Sequence, residues 1–413
     1  MATIPGSLFT ATAALPVNVV ETSTGTGIGN DTVSGDFNLE VYTGPLSSAP
    51  STPAPGYDGL AVLGPGGTTI DLIYGSFAVT DAGDVLNADG NGETVSGGAG
   101  NVTLNLNGSS DLATGGNQDT ITVYGTDDVV NAVGNDLITV NGTNDTVNAG
   151  SGNDTINLYG ENGFVNLGTG HDVVNILTQD YSFSAGFNDT INVIASTNLV
   201  LNGSLSDNTI NLSASDQYID ASATTGSNTF NVFGINDTIF AGQGNDTINT
   251  YNAQEQVVSS SGNTLVNVFG AETTVWGGTG SDTINVYHSG DVVVGGTSAG
   301  SSDSITAYGS FEAVYGGAGS DTIGLTGNEN TVTAGAGNLT IGVSGTGFAF
   351  NDTSTDIYSD TITGFGQSGD SINLAGGDTV ATSSVSGGNT QIVLSDGSQI
   401  LLIGVTNITG FIH

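Results

Sequence analysis

The chain contains no lysine, no arginine and no cysteine among its 413 residues. Only the N-terminal amine and three histidines, His171, His288 and His413, can carry positive charge against 40 acidic side chains, a formal net charge of −40. Sequence-independent nucleic-acid binding rests on basic side chains that neutralise phosphates, so DNA, RNA and anionic lipid headgroups are excluded as direct partners. Ordinary salt bridges are excluded for want of a basic partner. Without cysteine there are neither disulfides nor thiolate metal sites. No apolar run is long enough to span a bilayer, and the N-terminal MATIPGSLFTATAALPVNVV lacks the basic region of a Sec-type signal. Proline is nearly absent: all seven lie at or before Pro65.

A charge this large destabilises a compact state through self-repulsion unless bound cations or protons neutralise it. Calcium is the natural candidate, because hard divalent cations choose the carboxylate and carbonyl oxygens that this chain supplies in quantity.

What the sequence does contain is a period. An Asp or Asn returns every seventeen to twenty-one residues, just after a small-residue turn and just before a β-branched stretch, at 84, 101, 119, 136, 154, 172, 189, 207, 228, 246, 263, 282, 303, 321 and 338. A fixed period of this length marks a solenoid in which each repeat is one coil stacked on the last. A second ladder runs half a period out of phase, through Glu93, Asp111, Asp128, Asp145, Gly163, Asn198, Asp216, Asp237, Glu255, Thr273, Asp291, Glu312 and Asn330. Each coil therefore reads turn, strand, turn, strand, as in GGTGSD (277–282), TINVY (283–287), HSGD (288–291) and VVV (292–294). Alternation within the strands puts Ile and Val inside and Thr and Asn outside.

Helix is excluded by 66 glycines and the absence of any 3.6-residue stripe. Disorder is the stronger rival on composition, but 37% hydrophobic residues held in register argue against it once the charge is neutralised. Two longer repeats, 216–228 and 291–303, each add about three residues in a turn, where insertions leave the stack intact. The expected fold is all-β, a right-handed parallel β-roll or β-solenoid of about 15 coils, at 67–355. A leader at 1–43, including the repeat-like GIGNDTVSG, a Pro/Gly-rich linker at 44–66 and a short C-terminal β cap at 356–413 complete the expected organisation.

The sharpest motif is G-G-x-G-x-D-x-U-x, U being large and apolar. It appears as GGTGSDTIN (277–285) and GGAGSDTIG (316–324), and nearly complete as AGSGNDTIN (149–157), LGTGHDVVN (167–175) and AGQGNDTIN (241–249). Glycines let the backbone turn sharply and aim carbonyls inward, and the Asp adds carboxylate oxygens. This resembles the calcium-binding nonapeptide of the repeats-in-toxin (RTX) family of parallel β-rolls. The resemblance implies calcium held between neighbouring turns, with the strongest run at Asp136, Asp154 and Asp172, served by Gly150, Gly152, Gly168 and Gly170, and flanked by Asp119 and Asp189. Further candidates are Asp246 with Gly242 and Gly244, Asp282 with Gly277, Gly278 and Gly280, and Asp321 with Gly316, Gly317 and Gly319. The second ladder lacks the double glycine. The alternative for any one Asp is an Asx turn on its own backbone with no ion.

The tail, 360–413, leaves the repeat and reads as short strands with tight turns at Gly387-Gly388 and Asp396-Gly397. It resembles the C-terminal region of RTX proteins exported by type I secretion, which implies that apparatus as a partner and an extracellular or cell-surface location. An outward Asn row that includes Asn157, Asn166, Asn175, Asn192, Asn211, Asn231, Asn249, Asn267 and Asn285 suggests amide ladders along the stack. The flat Thr/Asn array also raises ice binding, against which the irregular turn sequences count.

No enzyme is expected. A polysaccharide lyase or epimerase needs a base and a cationic group, and here the histidines are far apart; no HExxH is present, and a regular coil offers little cleft for a carboxylate pair. The expected function is a secreted, calcium-dependent structural protein that folds after export and self-assembles head to tail into a filament, surface layer or biofilm matrix. The alternative is a monomeric calcium-binding adhesin module recognising a glycan or surface.

Overall fold

The computed structural model describes residues 82–413 except 99, 179–180, 185, 196–197, 203–205 and 354–356. Before residue 82 it describes Gly67 and the strands Asn18–Val19, Asn38–Thr43, Gly59–Leu63, Thr69–Leu72 and Phe77–Val79. Most of the expected leader and linker, and the fragment 27–35, lie outside the described residues. The chain is all-β, with no helix among the described residues, and forms a parallel β-solenoid of about 16 turns with repeats of ~18 residues. It divides into two compact units, Met1–Leu199 and Val200–His413.

In the first unit each coil from Val85 to Ser184 carries one four-residue and one three-residue strand. The four-residue strands Thr120–Val123, Leu137–Val140, Thr155–Leu158 and Val173–Ile176 pair in parallel without a register shift, Ile121 on Ile138, Ile138 on Ile156 and Ile156 on Val174. The three-residue strands Val129–Asn131, Thr146–Asn148 and Phe164–Asn166 form the opposite sheet, again parallel. Strand alternation decides the interior: Ile121, Ile138, Ile156 and Val174 face Val130, Val147 and Val165, all essentially fully buried, while the intervening Thr and Asn face out. Such a column of like residues is what a fixed register produces, since a one-residue slip would turn every Ile to water. The parallel pairing extends toward the N-terminus, with Leu60 on Ala78 and Val41 on Ala61.

The second unit repeats the plan through Thr229–Val232, Thr247–Thr250, Leu265–Val268, Thr283–Val286 and Ser304–Ala307. Both insertions stay in turns, and pairing continues past them, Tyr218 on Thr238 and Val292 on Ala313. The expected tail strands are present: Val380–Ser386, Asn389–Leu394 and Gln399–Ile403 form an antiparallel meander, turning at Gly387-Gly388 and at Asp396-Gly397. Gln399–Ile403 then pairs in parallel with Ser359–Thr363. That strand joins the meander to the coils, because Thr361 pairs with Thr340 on its other side.

The outward Asn row forms amide ladders, except that Asn166 falls on the opposite sheet, beside Asn148, and not in line with Asn157 and Asn175. Asn175 Nδ2 donates to Asn157 Oδ1 at 2.8 Å and Asn192 to Asn175 at 2.9 Å; in the second unit Asn231, Asn249, Asn267 and Asn285 each donate to the Asn one coil earlier at 2.9–3.0 Å. Each bond satisfies a half-buried amide and ties adjacent coils.

Candidate functional site

Parallel stacking places the acidic side chains of successive turns one above another along both edges of each unit. Each rung carboxylate points inward and spends one oxygen on the backbone of the preceding coil. On the glycine-turn edge of the first unit the N–H groups of Asp119, Asp136, Asp154 and Asp172 donate to the Oδ1 atoms of Asp136, Asp154, Asp172 and Asp189 at 2.7–2.9 Å. The opposite edge does the same: Glu93 N–H donates to Asp111, Asp111 N–H to Asp128 and Asp128 N–H to Asp145, at 2.8–2.9 Å. In the second unit Asp237 N–H donates to Glu255 at 2.6 Å and Asp291 N–H to Glu312 at 2.8 Å. The ladder is thus an inter-coil hydrogen-bond system on both edges.

The register corrects several rungs read from spacing. Val102, Asn208, Thr264 and Leu339 occupy the rung where the sequence suggests Asn101, Asp207, Asn263 and Asn338, since their N–H groups donate to Asp119, Asn228, Asp282 and Asp360. On the opposite edge the rung is Gln217, not Asp216. Asn101, Asp207 and Asp216 instead sit one residue earlier with φ near +60°. Asn and Asp are the side chains that best tolerate that left-handed conformation, so spacing alone confuses the two positions. Carboxylate rungs are consequently unbroken from Asp119 to Asp189 in the first unit and from Asp282 through Asp303 to Asp321 in the second.

The second carboxylate oxygen separates the turns into two kinds. In Asp282 and Asp321, which carry the best matches to the nonapeptide, Oδ2 accepts the N–H of Gly278 at 3.2 Å and of Gly317 at 3.1 Å, closing the turn on itself. Asp119 and Asp189 close in the same way on Gly116 and Gly186. In Asp136, Asp154 and Asp172 the second oxygen is buried and accepts no hydrogen bond, as it does in Asp246. Glycine backbone divides the turns differently: Gly150, Gly152, Gly168 and Gly170 have φ of 84°, 134°, 82° and 151°, whereas Gly242 and Gly244 of the Asp246 turn are outside the left-handed region, as are Gly277, Gly278, Gly280, Gly316, Gly317 and Gly319. A side chain at Gly152 would both strain φ and overlap the Gly134 carbonyl oxygen; at Gly280 only the overlap, with Gly262 O, forbids it.

An ionised carboxylate buried beside others of like charge is costly, and the rungs are accordingly shifted toward the protonated form. Burial, reinforced by neighbouring rungs, pushes Asp154 up to about 7, and Asp136 and Asp172 to about 6. On the opposite edge burial pushes Asp128 to about 6, Asp111 and Asp145 to about 7, and Glu255 and Glu312 to about 8. Asp119, Asp282 and Asp321, whose second oxygen is hydrogen-bonded, are raised as well.

The opposite edge is therefore as buried and as acidic as the glycine-turn edge, which the missing double glycine conceals. Its signal in the sequence is Gly three residues before the acid: a Cβ at Gly125, Gly142 or Gly234 would stand 2.5–2.6 Å from Oδ2 of Asp128, Asp145 or Asp237. Gly with a buried carboxylate folded over it is the same device on both edges.

Among the described residues no three acidic or histidine side chains converge as a metal cluster. A cation held at Asp136, Asp154 and Asp172 would thus take most of its oxygens from backbone carbonyls, with the free carboxylate oxygens completing the set. That donor chemistry, all oxygen and uncompensated by any basic side chain, fits a hard divalent cation. His171 lies in one of these turns but is exposed, its Nδ1 3.3 Å from Asn188 O. No protein family, curated protein or solved structure matches the chain.

Proposed function

We propose that the chain is a secreted, calcium-dependent structural protein of the RTX type, whose coils stack fully only when calcium neutralises the buried ladders. The observation that carries this reading is the set of buried, unpaired carboxylate oxygens at Asp136, Asp154 and Asp172, in a chain with no Lys or Arg to balance them. Three routes can neutralise such a carboxylate: a proton, a basic side chain or a metal ion. The second is closed by composition, and the first is available only near or below pH 7. Calcium is left as the partner at neutral pH and at extracellular calcium concentrations.

In this reading calcium supplies positive charge between adjacent coils. Asp136, Asp154 and Asp172 hold it, with the carbonyls of their glycine turns, while their other oxygens keep the hydrogen bonds that set coil register. At low intracellular calcium like-charge repulsion keeps the chain open for type I export; outside, binding free energy becomes folding free energy. The regular neutral faces of the strands support a structural role, with head-to-tail self-assembly into a filament or surface layer.

The test is electron microscopy of the protein in calcium, with and without residues 1–65. Polymers with calcium that are lost on deletion are expected. A monodisperse monomer in both preparations ends the assembly reading and leaves the monomeric adhesin.

A further inference from the structure

A line of aromatic rings runs along the outer face of the four-residue strands in the second unit. Phe233, Tyr251, Phe269, Tyr287 and Tyr308 follow those strands in five successive coils, and their rings stack with centroids 4.8, 5.4, 4.8 and 5.1 Å apart and planes within 11° of parallel. These spacings are those of neighbouring strands, so the ladder is imposed by the register and reaches roughly 20 Å. All five rings are exposed, between 37% and 51%.

Beside this ladder lies the amide ladder Asn231, Asn249, Asn267 and Asn285, and beyond it the outward row Thr229, Thr247, Leu265, Thr283 and Ser304. None of the outward side chains of these five strands is acidic, although the chain carries 40 Asp and Glu. The negative charge is confined to the turns on either side, and a flat, neutral, partly aromatic strip is left between them. Exposed apolar strips of this kind mark interaction surfaces.

We infer that this face binds the same face of a second copy of the chain, side by side. Ring geometry excludes the usual glycan platform: stacked rings cover one another's faces and present edges, so a sugar cannot lie flat on them. A partner that meets all five rings needs an uncharged surface with the same axial repeat. A second copy provides both by construction, whereas an acidic surface would be repelled by the flanking turns. Stacked aromatic rings and Asn ladders on two identical sheets are also the components of a dry sheet-to-sheet contact. The strip is narrow compared with a standard interface, so one pair of copies associates weakly, and the contact gains strength where many copies are held in an array. This lateral contact does not depend on end-to-end polymerisation.

Because the chain has no cysteine, a single reporter thiol can be placed on the face. Full-length protein in calcium carrying Ser304→Cys would be treated with a short bismaleimide, with Thr279→Cys in an exposed glycine-edge turn as control. Cross-linked dimer that rises with protein concentration is expected from Ser304→Cys, at least tenfold above the control. Adding Tyr251→Ser, Phe269→Ser and Tyr287→Ser should abolish the excess while the circular dichroism remains that of the parent. Thr247→Glu, which leaves every ring in place and adds a charge to the neutral strip, should reduce it severalfold. Equal cross-linking at the two reporter positions, or a yield untouched by both sets of substitutions, would overturn the proposal. Neither result depends on whether filaments form, since the reporter reads only this face.

Discussion

At the scale of single residues, the two oxygens of each rung carboxylate do different work. In Asp154 one oxygen accepts Asp136 N–H and the other is buried without a donor. An amide can do the first job, as Asn330 shows by accepting Glu312 N–H at 2.9 Å. Asp154→Asn is therefore expected to have opposite effects in two buffers. In chelator it removes a buried charge and stabilises the unit by about 1–3 kcal/mol; in calcium it removes a ligand and destabilises by a similar amount. Thermal melts in both buffers read the crossing, and a loss of stability in both would mean that the carboxylate serves only as a hydrogen-bond acceptor. Gly152→Ala is expected to cost about 1–3 kcal/mol in either buffer, because left-handed strain and the overlap with Gly134 O are independent of the ion. A melt within a degree of the parent would contradict that.

At the scale of elements, the strands were legible and the turns only partly so. Thr283–Val286 and Val292–Val294 could be read because alternation reports directly which side is buried. The Asn ladder could be read because equal spacing in sequence becomes equal spacing along the stack. The rung at Thr264 could not, because Asn263 beside it is an equally good turn residue, and only the hydrogen-bond register tells them apart. Nor did nonapeptide consensus order the turns correctly: GGTGSD closes on Gly278 N–H, while the poorer match at 149–154 leaves its oxygen free. Consensus reports the close approach of backbones, whereas a free oxygen requires a turn whose own N–H does not close on it, as at Asp154 and at Asp246.

The opposite edge yields a pH prediction. Burial leaves Asp145 at about 7 and Glu255 and Glu312 at about 8, against roughly 4 in the unfolded chain. Between those values the folded form holds more protons than the unfolded one, so stability falls as pH rises through the window. In chelator the melting temperature is expected to be higher at pH 5 than at pH 8.5 by more than about 10 °C, since each kcal/mol moves it by roughly 2–4 °C in a unit of this size and many rungs contribute together. Melting temperatures that drop on acidification would show that the rungs are stabilised as carboxylates instead.

At the scale of the whole molecule, most acidic side chains among the described residues lie in or beside the turns, the interior columns are apolar, and the aromatic strip is neutral. In the proposed function, this sorting makes neutralisation of the turn edges the condition for folding. The most direct test is circular dichroism with sedimentation velocity on the full-length chain at pH 7.5, titrated with calcium from a chelated start and compared with magnesium. The expected result is a weakly folded, low-melting chain with reduced β-signal in chelator and a cooperative gain of β-signal, compaction and melting temperature as calcium is added, not reproduced by equal magnesium. A chain that is compact and equally β-rich in chelator, with an unchanged melting temperature on adding calcium, would contradict the claim that the carboxylate ladders control folding.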